Sequence, residues 1–351
     1  MKWKKTNKSE KYLRLKNFDF SHPKNKKQNY KKSFYFIIVL FSFLFLFLLI
    51  YNLFKKEVPS ITPIKPKENE KEKEKEEKKI YFDQYEVYKF NEIKESVENK
   101  SCSSMWANQR EFLNGLVRKF KPKKIVEVGT SFGGSAIIIL NAIDDLKDSK
   151  LYSIDLDKGN HVGKCVHKYF QNLMRKWTLF TGNIAAAFLE EIGGDIDMAF
   201  FDTSHQEPGE IMDFLMVLPF LKENAIVAFH DIAIQITHSP ERNEWAPYII
   251  FNGIRGEKYL PSGDDILKQD IGAAKLDTNQ KRYYQEYFRL LGGQWQYFPK
   301  EEHVTQIRNF FKKYYEKDCK ECLIIFEEAI SFNRDFVKKN PKKKIHDFVS
   351  D

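Results

Sequence analysis

Cysteine is scarce in this chain: four in 351 residues, Cys102, Cys165, Cys319 and Cys322. So few thiols do not suggest a disulfide framework. Cys319-Lys-Glu-Cys322 has C-x-x-C spacing, but no second pair completes a zinc site. It lies inside a helical pattern, not at a strand–helix turn, so all four cysteines read as incidental. No internal repeat is present, which excludes solenoid and propeller architectures. Basic charge is also missing where a nucleic-acid-binding domain would need it. Residues 1–79 hold 21 Lys and Arg against 9 Asp and Glu, a net of +12. The whole chain is +9, so residues 80–351 net −3. That balance argues against a nucleic-acid substrate and leaves the basic arm suited to an anionic leaflet.

Charge is absent altogether from Ser33 to Phe54. Twenty-two helical residues span about 33 Å, enough for a bilayer core. A cleaved signal would have a shorter apolar core and a small-residue cleavage site. The sequence therefore divides into a basic arm (1–32), a single transmembrane helix (33–54), a charged disordered linker (55–79), a globular domain (80–340) and a basic tail (341–351). Lys and Arg are nearly balanced across the span, with 7 in residues 14–33 and 6 in residues 55–74. The positive-inside rule thus leaves orientation open, the longer arm favouring a cytoplasmic N-terminus.

What the domain has is Ile125-Val-Glu-Val-Gly-Thr-Ser-Phe-Gly-Gly-Ser135. A β-branched strand ends in acid, breaks into a glycine-rich turn and runs into the apolar start of a helix. Such a turn builds a nucleotide-shaped pocket at the carboxyl end of a parallel strand. The order is E-x-G-x-x-x-G, with no second glycine two positions after Gly129, so the dinucleotide fingerprint is not met. Glu127 would repel a pyrophosphate and suits a cationic ligand. Further strands follow at Lys150–Asp157, Trp177–Asn183, Asp197–Asp202 and Ala225–Asp231, all but Trp177–Asn183 ending in acid. Helical stretches at His161–Arg175 and Gly209–Leu221 separate them. This alternation predicts an α/β fold: a Rossmann-like, doubly wound, mostly parallel seven-stranded sheet with helices on both faces. Ile271–Leu276 and Gln294–Phe298 are expected as its last strands. An amphipathic helix is expected from Met105 to Phe120, and two closing helices near 300–316 and 320–338.

Three stretches, V-E-V-G-T-S-F-G-G-S (126–135), S-I-D-L-D (153–157) and the pair F-F-D-T-S-H (200–205) with A-F-H-D-I (228–232), resemble a class I S-adenosylmethionine-dependent methyltransferase. The resemblance is to the branch that includes cephalosporin-hydroxylase-like proteins and sugar or small-molecule O-methyltransferases. It implies S-adenosylmethionine as cofactor. Glu127, Gly129, Thr130 and Gly133 would lie at its methionine end, with Ser131 and Ser135 near its carboxylate. Asp155 would hold the ribose and Asn183 would sit near the adenine amino group. Relatives hold a divalent cation with acids at the ends of strands four and five. By position this implies Asp202, His230 and Asp231 as metal ligands, for magnesium or a transition metal. Without a metal, His205 or His230 would act as general base beside Asp202.

The resemblance implies a hydroxyl acceptor on a sugar or a small molecule, and the expected membrane anchor points to one made at the membrane, such as a lipid-linked glycan. A loop at 233–262 is expected to cover it, with Arg242 or Arg255 as candidate anion contacts. Cofactor supply favours a cytoplasmic domain, against the pull of the basic arm. Two other readings stay open: a membrane-anchored glycosyltransferase using Asp155-x-Asp157, and a non-catalytic scaffold on the same fold.

Overall fold

The computed structural model describes residues 80–82, 87–237, 243–262 and 269–339. All belong to the unit Lys75–Asp351. The arm, the apolar run 33–54, the linker and the tail 341–351 lie outside the described residues, as does Arg242. Among the described residues, no helix is long and apolar enough to cross a membrane.

The strands are β1 (Ile80–Phe82), β2 (Lys124–Val128), β3 (Lys150–Asp155), β4 (Trp177–Thr181), β5 (Ile196–Phe201), β6 (Leu221–His230), β7 (Gly256–Pro261) and β8 (Ile271–Leu276). They form one sheet in the order β1-β7-β8-β6-β5-β2-β3-β4. All neighbours run parallel except β8, which is antiparallel to both β6 and β7. The sheet thus has eight strands where seven were expected: the three-residue β1 and its neighbour β7 are added, and one expected strand is absent. From β2 the chain winds outward through β3 to β4, then returns to place β5 on the other side of β2. The reversal opens a crevice between the carboxyl ends of β2 and β5, where ligands of open α/β sheets bind.

Strand side chains alternate between the two faces. Val126, Val128, Phe201 and Phe229 join one core, and Ile125, Met198, Phe200 and Ala228 the other. Both faces being covered explains the near-continuous apolar strands. Helices α1 (Ala107–Phe120), α2 (Gly134–Ile143) and α3 (Lys164–Tyr169) lie on the second face. Helices α4 (Gly209–Val217), α5 (Ala246–Gly253), α6 (Tyr284–Arg289), α7 (Glu301–Tyr315) and α8 (Lys320–Lys339) cover the first.

Three expectations change. Gln294–Phe298 is not a strand. Trp295 is buried, its backbone N–H donates to Asn333 Oδ1 and its indole to the Leu291 carbonyl, so the segment is held by α8 and not by a ladder. The expected loop at 233–262 contains α5 and β7. The cysteines are not incidental: Cys102 pairs with Cys165, and Cys319 with Cys322. Cys102 and Cys165 are 63 residues apart, a pairing that only the fold makes visible.

Candidate active site

The glycine-rich turn lies at the carboxyl end of β2, against the end of β5. Gly129 has φ +91°, and a Cβ there would stand 1.9 Å from the Asp202 carbonyl oxygen. Any other residue would force the two strand ends apart. Gly133, at φ +90°, leaves room for Val166 and Gly163 from the segment leading into α3. That segment closes on the turn by two backbone bonds, Gly163 N–H to Ser131 O (2.7 Å) and Cys165 N–H to Phe132 O (3.0 Å).

Asp155, the last residue of β3, braces the turn. Its Oδ2 accepts the backbone N–H groups of Thr130 (2.9 Å) and Ser131 (2.8 Å), and its Oδ1 accepts that of Asp157 (2.9 Å). A carboxylate has about four lone-pair sites, so half-buried Asp155 keeps acceptor capacity toward the crevice. Asn183 is half-buried, and its Oδ1 accepts from the Ile184 N–H at 2.8 Å.

Glu127 is fully buried beneath the turn and does not open onto the crevice. Its carboxyl meets three hydroxyls: Ser135 at 2.6 Å, Ser153, and Thr130 at 3.4 Å. Ser153 faces it across the β2–β3 register and in turn accepts the Trp177 indole N–H at 2.8 Å. Burial, with the nearby charges of Asp202 and Asp155, outweighs those hydroxyls and pushes Glu127 up to about 7.

Across the crevice, β5 and β6 bring four groups together. Asp202 follows β5, His205 lies three residues on, His230 ends β6 and Asp231 follows it. Adjacent residues on an extended strand point to opposite faces. Asp231 escapes that rule by taking a left-handed conformation at φ +54°. Its carboxylate then reaches both the His230 ring and His205. His205 Nε2 lies 3.0 Å from Asp231 Oδ2 and 3.4 Å from Asp202 Oδ1. His230 Nδ1 lies 3.2 Å from Asp231 Oδ2 and 3.6 Å from Asp202 Oδ2. Asp202, His205 and Asp231 each offer a ligand atom within 4.8 Å of the others. His230 is buried and touches two of them.

The charges reinforce one another. Burial alone would lower His205, but the Asp202 hydrogen bond and the charges of Asp231, Asp202 and Glu210 push it up to about 9. Burial likewise opposes ionisation of Asp202, yet His230 and His205 hold it well below the usual carboxylate range. His230 is raised against its burial by Asp202 and Asp231.

Several groups here escaped sequence reasoning. Asp270, just before β8, accepts the Ala233 N–H, and burial with the Asp231 charge pushes it up to about 7. Glu210 is fully buried behind His205, and one of its oxygens accepts from the Thr203 N–H at 3.3 Å. Gln109 of α1 reaches His230 Nε2 at 3.2 Å. Asp270 and Gln109 are distant in sequence and Ser153 needs the strand register, whereas Glu210 lay within a predicted helix. Of the proposed acceptor-side arginines, Arg255 pairs on the surface with Glu286 at 3.1 Å. Trp245 and Tyr248 stand exposed, edge to face at 5.9 Å.

Residues 126–232 match a family model described as a methyltransferase domain. Over 207 residues, 54% of this chain, the sequence is 24% identical to an uncharacterized protein, y4gI, of Sinorhizobium fredii. The match spans 23% of that relative's length. Among solved structures, the O-methyltransferase TomG of Streptomyces achromogenes in complex with SAM (S-adenosylmethionine) is similar at 15% identity. Its TM-score is 0.41, over 54% of this chain and 90% of that one. An O-methyltransferase from Bacillus cereus in complex with SAH is similar at 14% identity, TM-score 0.39, over 53% and 90%. S-adenosylmethionine is the cofactor that the methyltransferase-domain match supports.

Proposed function

We propose that this chain transfers the methyl group of S-adenosylmethionine to a hydroxyl oxygen, with a divalent cation at the ends of β5 and β6. The observation that carries the reading is the convergence of Asp202, His205 and Asp231, with His230 against both carboxylates, beside the turn that Asp155 and Glu127 organise. S-adenosylmethionine supplies an electrophilic methyl group, and a bound divalent ion supplies the charge that lowers the pKa of an acceptor hydroxyl.

The chain's own residues do the rest. Glu127 holds the turn from below through Ser135, Ser153 and Thr130. Asp155 fixes the backbone of Thr130 and Ser131 and offers its remaining acceptor capacity to ribose hydroxyls. The donor set at β5 and β6 fits a divalent ion: ligands about 2.1 Å from one centre lie about 3.0 to 3.4 Å apart, close to the spacings observed here. A glycosyltransferase-type use of Asp155 and Asp157 is disfavoured, because Asp155 is committed to the turn and Asp157 Oδ1 accepts the Gly159 N–H at 2.7 Å.

The acceptor is a hydroxyl of a glycan, a lipid-linked sugar or a small molecule. Labelled methyl incorporation into such extracts, with and without a chelator, tests donor, acceptor and metal together. Incorporation that a chelator abolishes and a divalent ion restores supports the reading; incorporation unaffected by the chelator overturns the metal's role.

A further inference from the structure

Cys319-Lys-Glu-Cys322 stands at a helix start and not within a helix. Cys319 immediately precedes α8, and Cys322 is the third residue of that helix. The pair is bonded, as Cys102 and Cys165 are, but the two bonds hold different things. Loop closure stabilises more as the loop lengthens. Cys102 and Cys165 are 63 residues apart and join the segment before α1 to α3. Cys319 and Cys322 are 3 apart, and the Cys322 N–H already donates to the Cys319 carbonyl at 3.2 Å. The second bond therefore adds little to a turn that the backbone fixes by itself.

Its position favours chemistry instead. The first N–H groups of an α-helix have no partner within it, and the positive end of the helix dipole lies there. Both stabilise a thiolate, and so the reduced form of a cysteine pair. The two residues are also unequally reachable. Cys322 is sealed, whereas Cys319 is 6% exposed and lines a surface cavity of about 300 Å³. Lys281, Arg282, Arg289, Asp318 and Glu321 share the wall of that cavity. Lys281 pairs with Asp318 at 2.7 Å, and Arg282 with Asp277 at 3.3 Å. Arg289 and Glu321 are exposed and, among the described residues, have no ion-pair partner. One unpaired cation and one unpaired anion beside a reachable cysteine suit a small thiol that carries both carboxylate and ammonium groups.

We propose that Cys319–Cys322 is a thiol–disulfide exchange site, opened at Cys319 by a small zwitterionic thiol of the glutathione type that Arg289 and Glu321 recognise. The first thiolate forms a bond to Cys319 Sγ. The Cys319–Cys322 bond breaks, and its electron pair leaves on Cys322 Sγ, which takes up a proton. A second thiolate attacks the sulfur of the bound thiol and releases a small disulfide and the Cys319 thiolate. Two small thiols are thus oxidised to one disulfide while the protein pair is reduced to two thiols. The exchange is independent of the methyl transfer proposed above.

The test equilibrates the whole chain with graded mixtures of reduced and oxidised glutathione, traps thiols by alkylation and reads each cysteine by peptide mass spectrometry. Cys319–Cys322 is expected to be half open at a ratio of squared reduced to oxidised glutathione about tenfold or more below that for Cys102–Cys165. Cys322→Ser leaves Cys319 alone and should take up oxidised glutathione as a mixed disulfide about tenfold or more faster than Cys319→Ser does. Circular dichroism of each variant reports its fold. Adding Arg289→Ala to Cys322→Ser should slow uptake of oxidised glutathione severalfold and leave uptake of uncharged hydroxyethyl disulfide unchanged. In the wild type, opening of both pairs together, or of Cys102–Cys165 first, overturns the proposal. Equal uptake by Cys319→Ser and Cys322→Ser overturns Cys319 as the point of attack. An Arg289→Ala effect on both reagents alike, or on neither, overturns the recognition.

Discussion

At the scale of residues, the turn is held by acids doing unlike work. Asp155 is half-buried and braced by three backbone N–H groups; Glu127 is sealed beneath and retains its proton up to about pH 7. An acid whose folded pKa lies above its ordinary value of 4.5 favours the folded state most at low pH, and that contribution is lost as the pH rises toward 7. Glu127→Gln removes the charge altogether. Its stability relative to the wild type should therefore rise between pH 5 and pH 8, by about 2 to 3 kcal/mol. Denaturant unfolding of both proteins at the two pH values measures this; a difference independent of pH would show that Glu127 is ionised throughout. The sequence marked Glu127 as an acid placed for a cationic ligand, because the turn's spacing is local. That the side chain points into hydroxyls and not into the crevice depended on Ser153, which only the β2–β3 register brings opposite.

At the scale of elements, the strands were legible where both faces are buried, since continuous apolar runs such as Ala225–Phe229 have no other use. The closing helices were legible for the same reason: α7 and α8 each carry one apolar stripe. Gln294–Phe298 misled because its aromatic alternation imitates a strand, while Trp295 is anchored by Asn333, 38 residues downstream in the helical layer. Gly256–Pro261 was hidden because it pairs with β8 on one side and the short β1 on the other, far from it in sequence.

The bond between Cys102 and Cys165 acts at this scale too. It ties the segment before α1 to α3, and both touch the turn: the Cys102 carbonyl lies 2.4 Å from where a Cβ on Gly134 would stand, and Cys165 N–H bonds Phe132. Closing a loop of 63 residues removes unfolded-state entropy worth about 4 kcal/mol at most. Cys102→Ser should lower unfolding stability by a few kcal/mol, and reducing agent should remove the difference between the two proteins. Equal stabilities under oxidising conditions would show that the bond contributes nothing.

For the whole molecule, the contrast is between a basic, apolar N-terminal stretch and an acidic α/β domain. Disulfides are rare in cytosolic proteins and persist in oxidising compartments. The domain's two pairs, Cys102–Cys165 and Cys319–Cys322, would therefore be kept by an oxidising surrounding and lost in a reducing one. We predict that all four cysteines of the freshly isolated chain resist alkylation until reduced; ready labelling of Cys102 or Cys319 would show that their pairs are open.

The central claim is that the crevice between β2 and β5 holds S-adenosylmethionine. Calorimetric titration of the whole chain with S-adenosylmethionine tests it most directly, with the wild type beside Asp155→Ala. The account predicts saturable binding at one site per chain, weakened by about tenfold or more when the brace at Asp155 is removed. No heat with S-adenosylmethionine, together with binding of a UDP-sugar, would contradict it.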